Sequence, residues 1–189
     1  MNEIELKARV SDRKKLTDTL NSFACFKGSL VRDDRYFAKK NEDGTFSKKK
    51  IRIRTQTEND KKTFILTWKR KELQQDSNGN QIEVNDEHEC ILSDDDCLVT
   101  FLEDTGYSVA LKKHKEVSLW TYEEASFELC TVPPLGDFLE IEILTDSDSP
   151  EKIAEIKEKL GLLLLKAGLS ASDIEPRMYS QMLEEVKSL

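Results

Sequence analysis

The chain has 189 residues, 38% of them hydrophobic and 35% charged, with 29 Lys and Arg against 37 Asp and Glu and a formal net charge of −8. That length fits one domain with a sizeable core, expected here over residues 1–189, and two full domains would be crowded. The acid excess argues against nucleic acid or an anionic membrane surface as partner, and no run approaches the roughly 20 apolar residues of a membrane span.

Residues 2–10 alternate, with Ile4, Leu6, Ala8 and Val10 on one face and Glu3, Glu5, Lys7 and Arg9 on the other, which predicts a strand. A helix follows from Ser11, with Leu16, Leu20 and Phe23 on one side. A strand is expected at 29–38, a loop at 39–50 around Asn41-Glu42-Asp43-Gly44, and strands near 50–57 and 62–70. Beyond the polar stretch 74–80, a strand is expected near 82–92 and a helix over 94–105 that Gly106 stops. Strands near 107–119, 121–130 and 137–145 lead to a helix opened by Ser149-Pro150-Glu151, and a last helix spans about 176–187. The order strand, helix, three strands therefore occurs twice, an architectural hint of duplication without a clear sequence repeat. Seven or eight antiparallel strands in one small domain must form a sandwich or close into a barrel.

Four cysteines, Cys25, Cys90, Cys97 and Cys130, lie far apart with no Cys-x-x-Cys pair, so reduced and mostly buried thiols are expected. The start Met1-Asn2-Glu3-Ile4-Glu5 has neither a basic opening nor an apolar signal core, which favours a cytoplasmic protein.

Residues two apart on a strand share a face, and here like charges are sorted together. Glu3 and Glu5, Glu87 and Glu89, and Glu140 and Glu142 form acidic pairs; Arg52 and Arg54, Lys69 and Lys71, and Lys113 and Lys115 form basic ones. A sheet with one wet face would also alternate apolar and charged residues, but cross-strand pairing would mix the signs along each strand. If the faces point inward instead, the carboxylates suit a hard divalent cation such as Mg²⁺ or Mn²⁺ and the Arg and Lys groups suit phosphate oxygens. Enclosed charge needs its counter-charge, and a metal with a polyphosphate supplies both.

Glu3-Ile4-Glu5-Leu6-Lys7 resembles the Glu-x-Glu-x-Lys signature of the CYTH superfamily, the triphosphate tunnel metalloenzymes. It is followed in order by Ile51-Arg52-Ile53-Arg54, Thr67-Trp68-Lys69, Lys113-His114-Lys115, Leu135-Gly136-Asp137-Phe138-Leu139-Glu140-Ile141-Glu142 and Glu175-Pro176-Arg177-Met178-Tyr179. The resemblance implies an α+β fold, a closed antiparallel eight-stranded β-barrel with helices packed outside and a charged tunnel within. By position, Glu3, Glu5, Glu89, Glu140 and Glu142 resemble the metal-binding carboxylates, with Glu87 the alternative to Glu89. Lys7, Arg52, Arg54, Lys69, Lys113, Lys115 and Arg177 resemble the triphosphate-binding set, with Lys7, Arg54 and Lys69 as its catalytic members.

Two positions depart from the family pattern. Cys130 stands where the family often has Asp, and Glu128 is placed to take over by pointing the same way. Lys113-His114-Lys115 replaces a frequent Lys-x-Arg, keeping the charge and losing a bidentate fork, with His114 pointing away from Lys113.

The ending Glu175-Pro176-Arg177-x-Tyr179 resembles the class IV adenylyl cyclase branch, which implies conversion of ATP to cyclic AMP and pyrophosphate with Mg²⁺ or Mn²⁺, and brings a homodimer with it as an expectation. The alternative is hydrolysis of thiamine triphosphate or inorganic tripolyphosphate by the same charges; a third reading is a module that binds polyphosphate or nucleotide without turnover. Tyr36, Phe37 and Trp68 are candidates for a base or thiazole pocket, against the plainer expectation that they are core.

Overall fold

The computed structural model describes residues 2–47, 50–75, 81–147 and 149–187, and their side chains except those of 69–75, 81–87 and 187. The elements run β1 (Asn2–Val10), α1 (Arg13–Phe23), β2 (Cys25–Lys39), β3 (Ile51–Glu58), β4 (Lys61–Gln75), β5 (Gln81–Leu92), α2 (Asp96–Asp104), β6 (Tyr107–Tyr122), β7 (Ala125–Val132), β8 (Gly136–Thr145), α3 (Pro150–Lys166) and α4 (Tyr179–Lys187), with a short 3₁₀ turn at Ala171–Asp173. The fold is α+β, an eight-stranded antiparallel sheet with four α-helices. Strand order is β1-β5-β4-β3-β2-β6-β7-β8, and β1 pairs with both β5 and β8. Exchanging β1 with β5, β2 with β6, β3 with β7 and β4 with β8 leaves every neighbour relation in that order unchanged. The repeated strand-helix-three-strand pattern is thus a real feature of the topology.

By its contacts the chain divides into two compact units, Met1–Ser29 with Arg70–Asp86 and Glu116–Leu189, and Leu30–Lys69 with Glu87–Lys115. In the first unit, the apolar faces of β1, β7 and β8 supply Ile4, Leu6, Ala8, Phe127, Leu129, Leu139, Ile141 and Ile143 to one buried cluster. Helix α1 adds Leu16 and Leu20, and α3 adds Ile156, Leu160, Leu163 and Leu164. Burial of each large apolar side chain contributes about 1.5–3 kcal/mol, and this is what fixes the opposite, charged face of the same strands. In the second unit, Phe37, Ile53 and Leu102 form a smaller cluster with Ile51, Leu66, Leu98, Val99, Tyr107 and Val109 against them.

Helix boundaries follow their caps. The side chain of Asp12, rather than Ser11, accepts from the Lys15 backbone N–H at 2.9 Å, so α1 opens one residue later than its first capping candidate. Ser149 accepts from the Lys152 N–H at 3.1 Å with Pro150 in the first turn. Gly106, at φ +86°, ends α2 in a conformation that other residues rarely adopt.

Three sequence expectations change. The final helix starts at Tyr179 and not near 176, because the preceding residues are bonded to β1: Ala8 bridges Ile174, and the Glu175 N–H donates to the Lys7 carbonyl at 2.9 Å. Residues 121–122 belong to β6, which runs on to a turn at Glu123, a residue with φ 52°. The cysteines are free, but only Cys130 is buried; Cys25 starts β2, Cys97 lies in the first turn of α2, Cys90 is on β5, and all three are exposed. Among the described residues, no helix is long and apolar enough to cross a membrane. Of the polar stretch expected at 74–80, residues 76–80 lie outside the described residues.

Phe127 is fully buried at the centre of the larger cluster. Phe127→Ala should destabilise the fold by about 3–5 kcal/mol, read as a lowered urea midpoint with an unchanged slope.

Candidate functional site

The register of β1, β7 and β8 builds a carboxylate-rich face in the first unit. Lys7 lies opposite Glu140 and Glu140 opposite Glu128, forming one row across three strands. Glu5, Glu142 and Ser126 form the next row, and Glu3 lies opposite Leu144. Lys7 and Glu140 are buried, while Glu3, Glu5, Glu128 and Glu142 are half-buried. The structure therefore brings Glu3, Glu5, Lys7, Glu140 and Glu142 onto one face, as the alternation predicts. Glu128 and Cys130 join them from β7, so Glu128 does point toward the position that Cys130 occupies. Oxygens of Glu128 and Glu140 and the Cys130 Sγ lie within 4.8 Å of one another, an arrangement suited to holding a cation.

The C-terminal motif organises one edge of this face. Lys7 Nζ donates to the Arg177 carbonyl at 2.6 Å and sits 4.7 Å from the centre of the Tyr179 ring. Burial, the Glu140 carboxylate, Cys130 and Glu5 together raise the Tyr179 phenol well above its ordinary value, so it stays protonated. Glu175 is gripped from two sides: Arg177 Nε and Nη2 donate at 2.9 and 2.7 Å, and Arg9 Nε donates at 2.8 Å. The Arg177 hydrogen bond is the largest influence holding the Glu175 carboxyl down to about 2, against the opposing effect of burial. Arg177 itself is exposed, and its Nη1 also donates to Glu185 at 3.0 Å.

The second unit carries a cationic face built on an acid that the charge pattern did not single out. Asp34 on β2 lies opposite Arg54 on β3, and Tyr36 lies opposite Arg52, which lies opposite Thr67. Asp34 is buried, and Arg54 grips it bidentately, Nε to Oδ1 at 2.8 Å and Nη2 to Oδ2 at 3.2 Å. Lys113 Nζ reaches the same carboxylate at 3.1 Å, and the Tyr36 hydroxyl donates to it at 3.4 Å. Burial pushes the Asp34 carboxyl up, but Lys113, Arg54 and Arg52 outweigh it and hold the group far below the carboxylate range. Burial and Asp34 likewise raise the Tyr36 phenol, and Lys113, Arg52 and Arg54 reverse this to a net lowering.

Lys115 is buried two residues beyond Lys113, whereas Lys112, His114 and Glu116 are exposed, so β6 turns its paired lysines to its buried side. His114 points away as expected, with Nδ1 2.8 Å from an Asp33 carboxylate oxygen. Glu89 accepts from Arg52 at 3.1 Å and from Thr67 at 2.9 Å, so it offsets a cation on this face. Lys69 and Lys71 lie on β4 and Glu87 on β5, but their side chains are outside the described residues. Phe37 is core, Trp68 is exposed and Tyr36 stands among the charged groups, so the three aromatics do not share one environment.

Two charged faces of opposite character on a duplicated strand-helix-three-strand frame define the fold class, and comparison with known proteins gives the family. The CYTH domain profile matches residues 1–179, and the chain belongs to the CYTH family, whose members are divalent-metal-dependent enzymes acting on triphosphates. Among solved structures, the PH1819 protein of Pyrococcus horikoshii OT3 is 26% identical with a TM-score of 0.79, covering 97% of this chain and 99% of its own. A candidate adenylate cyclase from Vibrio parahaemolyticus is 21% identical, TM-score 0.73, over 96% of this chain and 97% of its own. The Hippeastrum protein HpAC1, a candidate adenylyl cyclase with a dominant triphosphatase activity, is 18% identical, TM-score 0.60, over 88% of each chain. The latter two likenesses speak to fold. No curated protein matches significantly.

Asp34→Asn removes the charge that pairs with Arg54 and Lys113, and should cost about 3–5 kcal/mol of stability in urea titrations. Glu175 has its folded value at about 2, below an ordinary 4.5, so its contribution is full above 4.5 and is lost as pH falls toward 2. Glu175→Gln should therefore flatten the acid loss of stability between 4.5 and 2 without abolishing it, since Asp34 acts in the same direction.

Proposed function

We propose that the chain is a divalent-metal-dependent enzyme of the class IV adenylyl cyclase type, converting ATP to cyclic AMP and pyrophosphate as one CYTH domain over residues 1–189. The observation that carries this reading is interior charge in two settings: Arg54, Lys113 and Lys115 are buried in the second unit, where Asp34 pairs with Arg54 and Lys113, and Lys7 is buried opposite Glu140 in the first. On this reading the sheet closes into a barrel, for which the pairing of β1 with both β5 and β8 is the support.

The donor set on β1, β7 and β8 fits a divalent cation, since carboxylate oxygens of Glu128 and Glu140 converge, with Glu3, Glu5 and Glu142 on the same face. Mg²⁺ or Mn²⁺, when bound, supplies Lewis-acid charge that offsets phosphate oxygens and acidifies the attacking hydroxyl. In the reaction, the ribose 3′-oxygen forms a bond to the α-phosphorus as the bond to the bridging oxygen breaks. Pyrophosphate leaves with that electron pair, and the hydroxyl proton passes to solvent.

Arg52, Arg54, Lys113 and Lys115, together with Lys69 and Lys7, hold the phosphates and offset the charge that grows on the leaving group. Asp34 fixes Arg54 and Lys113 before substrate arrives, so little reorganisation is needed when it binds. Arg177 serves the site by positioning, through the carbonyl that meets Lys7 and the grip on Glu175. A cytoplasmic site of action, free of nucleic acid and membrane, and a homodimer complete this reading.

Hydrolysis of a triphosphate is the second reading, favoured by the triphosphatase activity of the similarly folded Hippeastrum protein. It needs the same charges and differs in which phosphorus meets the nucleophile. Purified protein incubated with ATP, thiamine triphosphate or tripolyphosphate and Mn²⁺ or Mg²⁺ separates the readings. Cyclic AMP with pyrophosphate is the expected result; orthophosphate instead would install the hydrolytic reading, and tight binding with intact substrate would overturn both. Glu5→Ala or Glu142→Ala should lower turnover by about 100-fold or more, and full retained rate would remove that carboxylate from the site.

A further inference from the structure

The carboxylate face carries one donor that does not belong with hard oxygen ligands. Cys130 is fully buried, two residues from Glu128 on β7 and therefore on the same side of the strand. Its Sγ lies 4.0 Å from Glu128 Oε2, and with a Glu140 oxygen the three donor atoms fall within 4.8 Å of one another. Ligands at zinc-type bond lengths of about 2.0–2.3 Å would stand about 3.5 Å apart, so a modest contraction brings all three onto one ion. Mg²⁺ takes oxygen ligands and gains little from a sulfur, whereas zinc-class cations accept mixed thiolate and carboxylate sets.

We propose that Glu128, Cys130 and Glu140 form a thiolate-containing subsite selective for a zinc-class cation (Zn²⁺, Co²⁺ or Cd²⁺) over Mg²⁺. The thiol loses its proton to solvent as the Sγ–metal bond forms, and no oxidation state changes. The face then varies in character along its strands: Glu5 and Glu142 offer oxygen only, whereas Glu128 and Glu140 have near them the sulfur of Cys130, which lies one row further on opposite Phe138. This inference rests on the reading of that face as a metal site, and it adds which metal class this chain prefers there.

The test uses the full chain carrying Cys25→Ser, Cys90→Ser and Cys97→Ser, replacements at three exposed positions that leave Cys130 as the one thiol. Titration with Cd²⁺ alone should raise the ultraviolet sulfur-to-cadmium charge-transfer band to saturation, and a large excess of Mg²⁺ should not remove it. Cys130→Ser in this background should abolish the band while Mn²⁺ binding, followed by equilibrium dialysis, persists. Glu128→Gln keeps the thiol and should weaken Cd²⁺ at least about tenfold, since even groups supporting a metal ligand matter by about 10–100-fold. It also guards against a fold lost through substitution of the buried cysteine.

Absence of the band in the triple variant, with Mn²⁺ still bound through Glu5 and Glu142, would overturn the thiolate subsite and leave the proposed function standing. Failure to bind either cation would remove both.

Discussion

An ammonium or guanidinium group taken out of water costs several kcal/mol unless an opposite charge lies beside it, and among the described residues the strands bury Lys7, Arg54, Lys113 and Lys115. Asp34 answers that constraint for two of them, with Arg54 along both its oxygens and Lys113 on one. Lys7 is answered by its placement opposite Glu140 and by the Arg177 carbonyl, and the half-buried Arg52 by Glu89. A protein with no use for interior charge has an easier solution, since apolar residues of similar volume would pack there at little or no loss of stability. Retaining the cations therefore fits a family that acts on triphosphates, whose own charge is large and negative.

The duplicated topology shows how one frame came to hold both signs. Under the exchange that leaves the strand order unchanged, β2 corresponds to β6 and β3 to β7. On the face opposite Ile53, β3 carries Arg52 and Arg54, and on the face opposite Phe127 and Leu129, β7 carries Glu128 and Cys130. The same hairpin geometry thus presents cations in one half and metal-type donors in the other. The hydrophobic faces behind them differ less, because a strand that packs against a helix needs only alternating Ile, Leu, Val or Phe.

Much of this was legible in the sequence. Period-two alternation located β1, seven or eight strands were expected in all, and the i, i+2 pairs Glu3/Glu5, Arg52/Arg54, Lys113/Lys115 and Glu140/Glu142 marked the polar faces, because strand periodicity maps directly onto face. What stayed hidden depended on partners distant in the chain. Asp34 sits beside Asp33 in an Arg-Asp-Asp-Arg run that reads as solvated surface; only the register of β2 on β3 shows that one acid faces Arg54 and the other His114. The start of the last helix was hidden for the same reason, since its first turn was forgone in favour of bonds from Glu175 to β1. Cysteine burial failed as an expectation because Cys25, Cys90 and Cys97 fall on exposed positions of their elements.

The C-terminal motif shows how distant residues make a site stiff. Glu175 accepts from Arg9 on β1 and from Arg177, while its backbone N–H binds the carbonyl of Lys7. These contacts fix the segment along β1 and so fix the Arg177 carbonyl that receives Lys7 Nζ. The Tyr179 ring then lies beside that ammonium, with its neutral phenol toward Glu140. A lysine is a flexible four-carbon stem, and these contacts set where its charge stands. Lys7 is held by a peptide 170 residues along the chain, so the segments around Lys7 and Arg177 meet at β1.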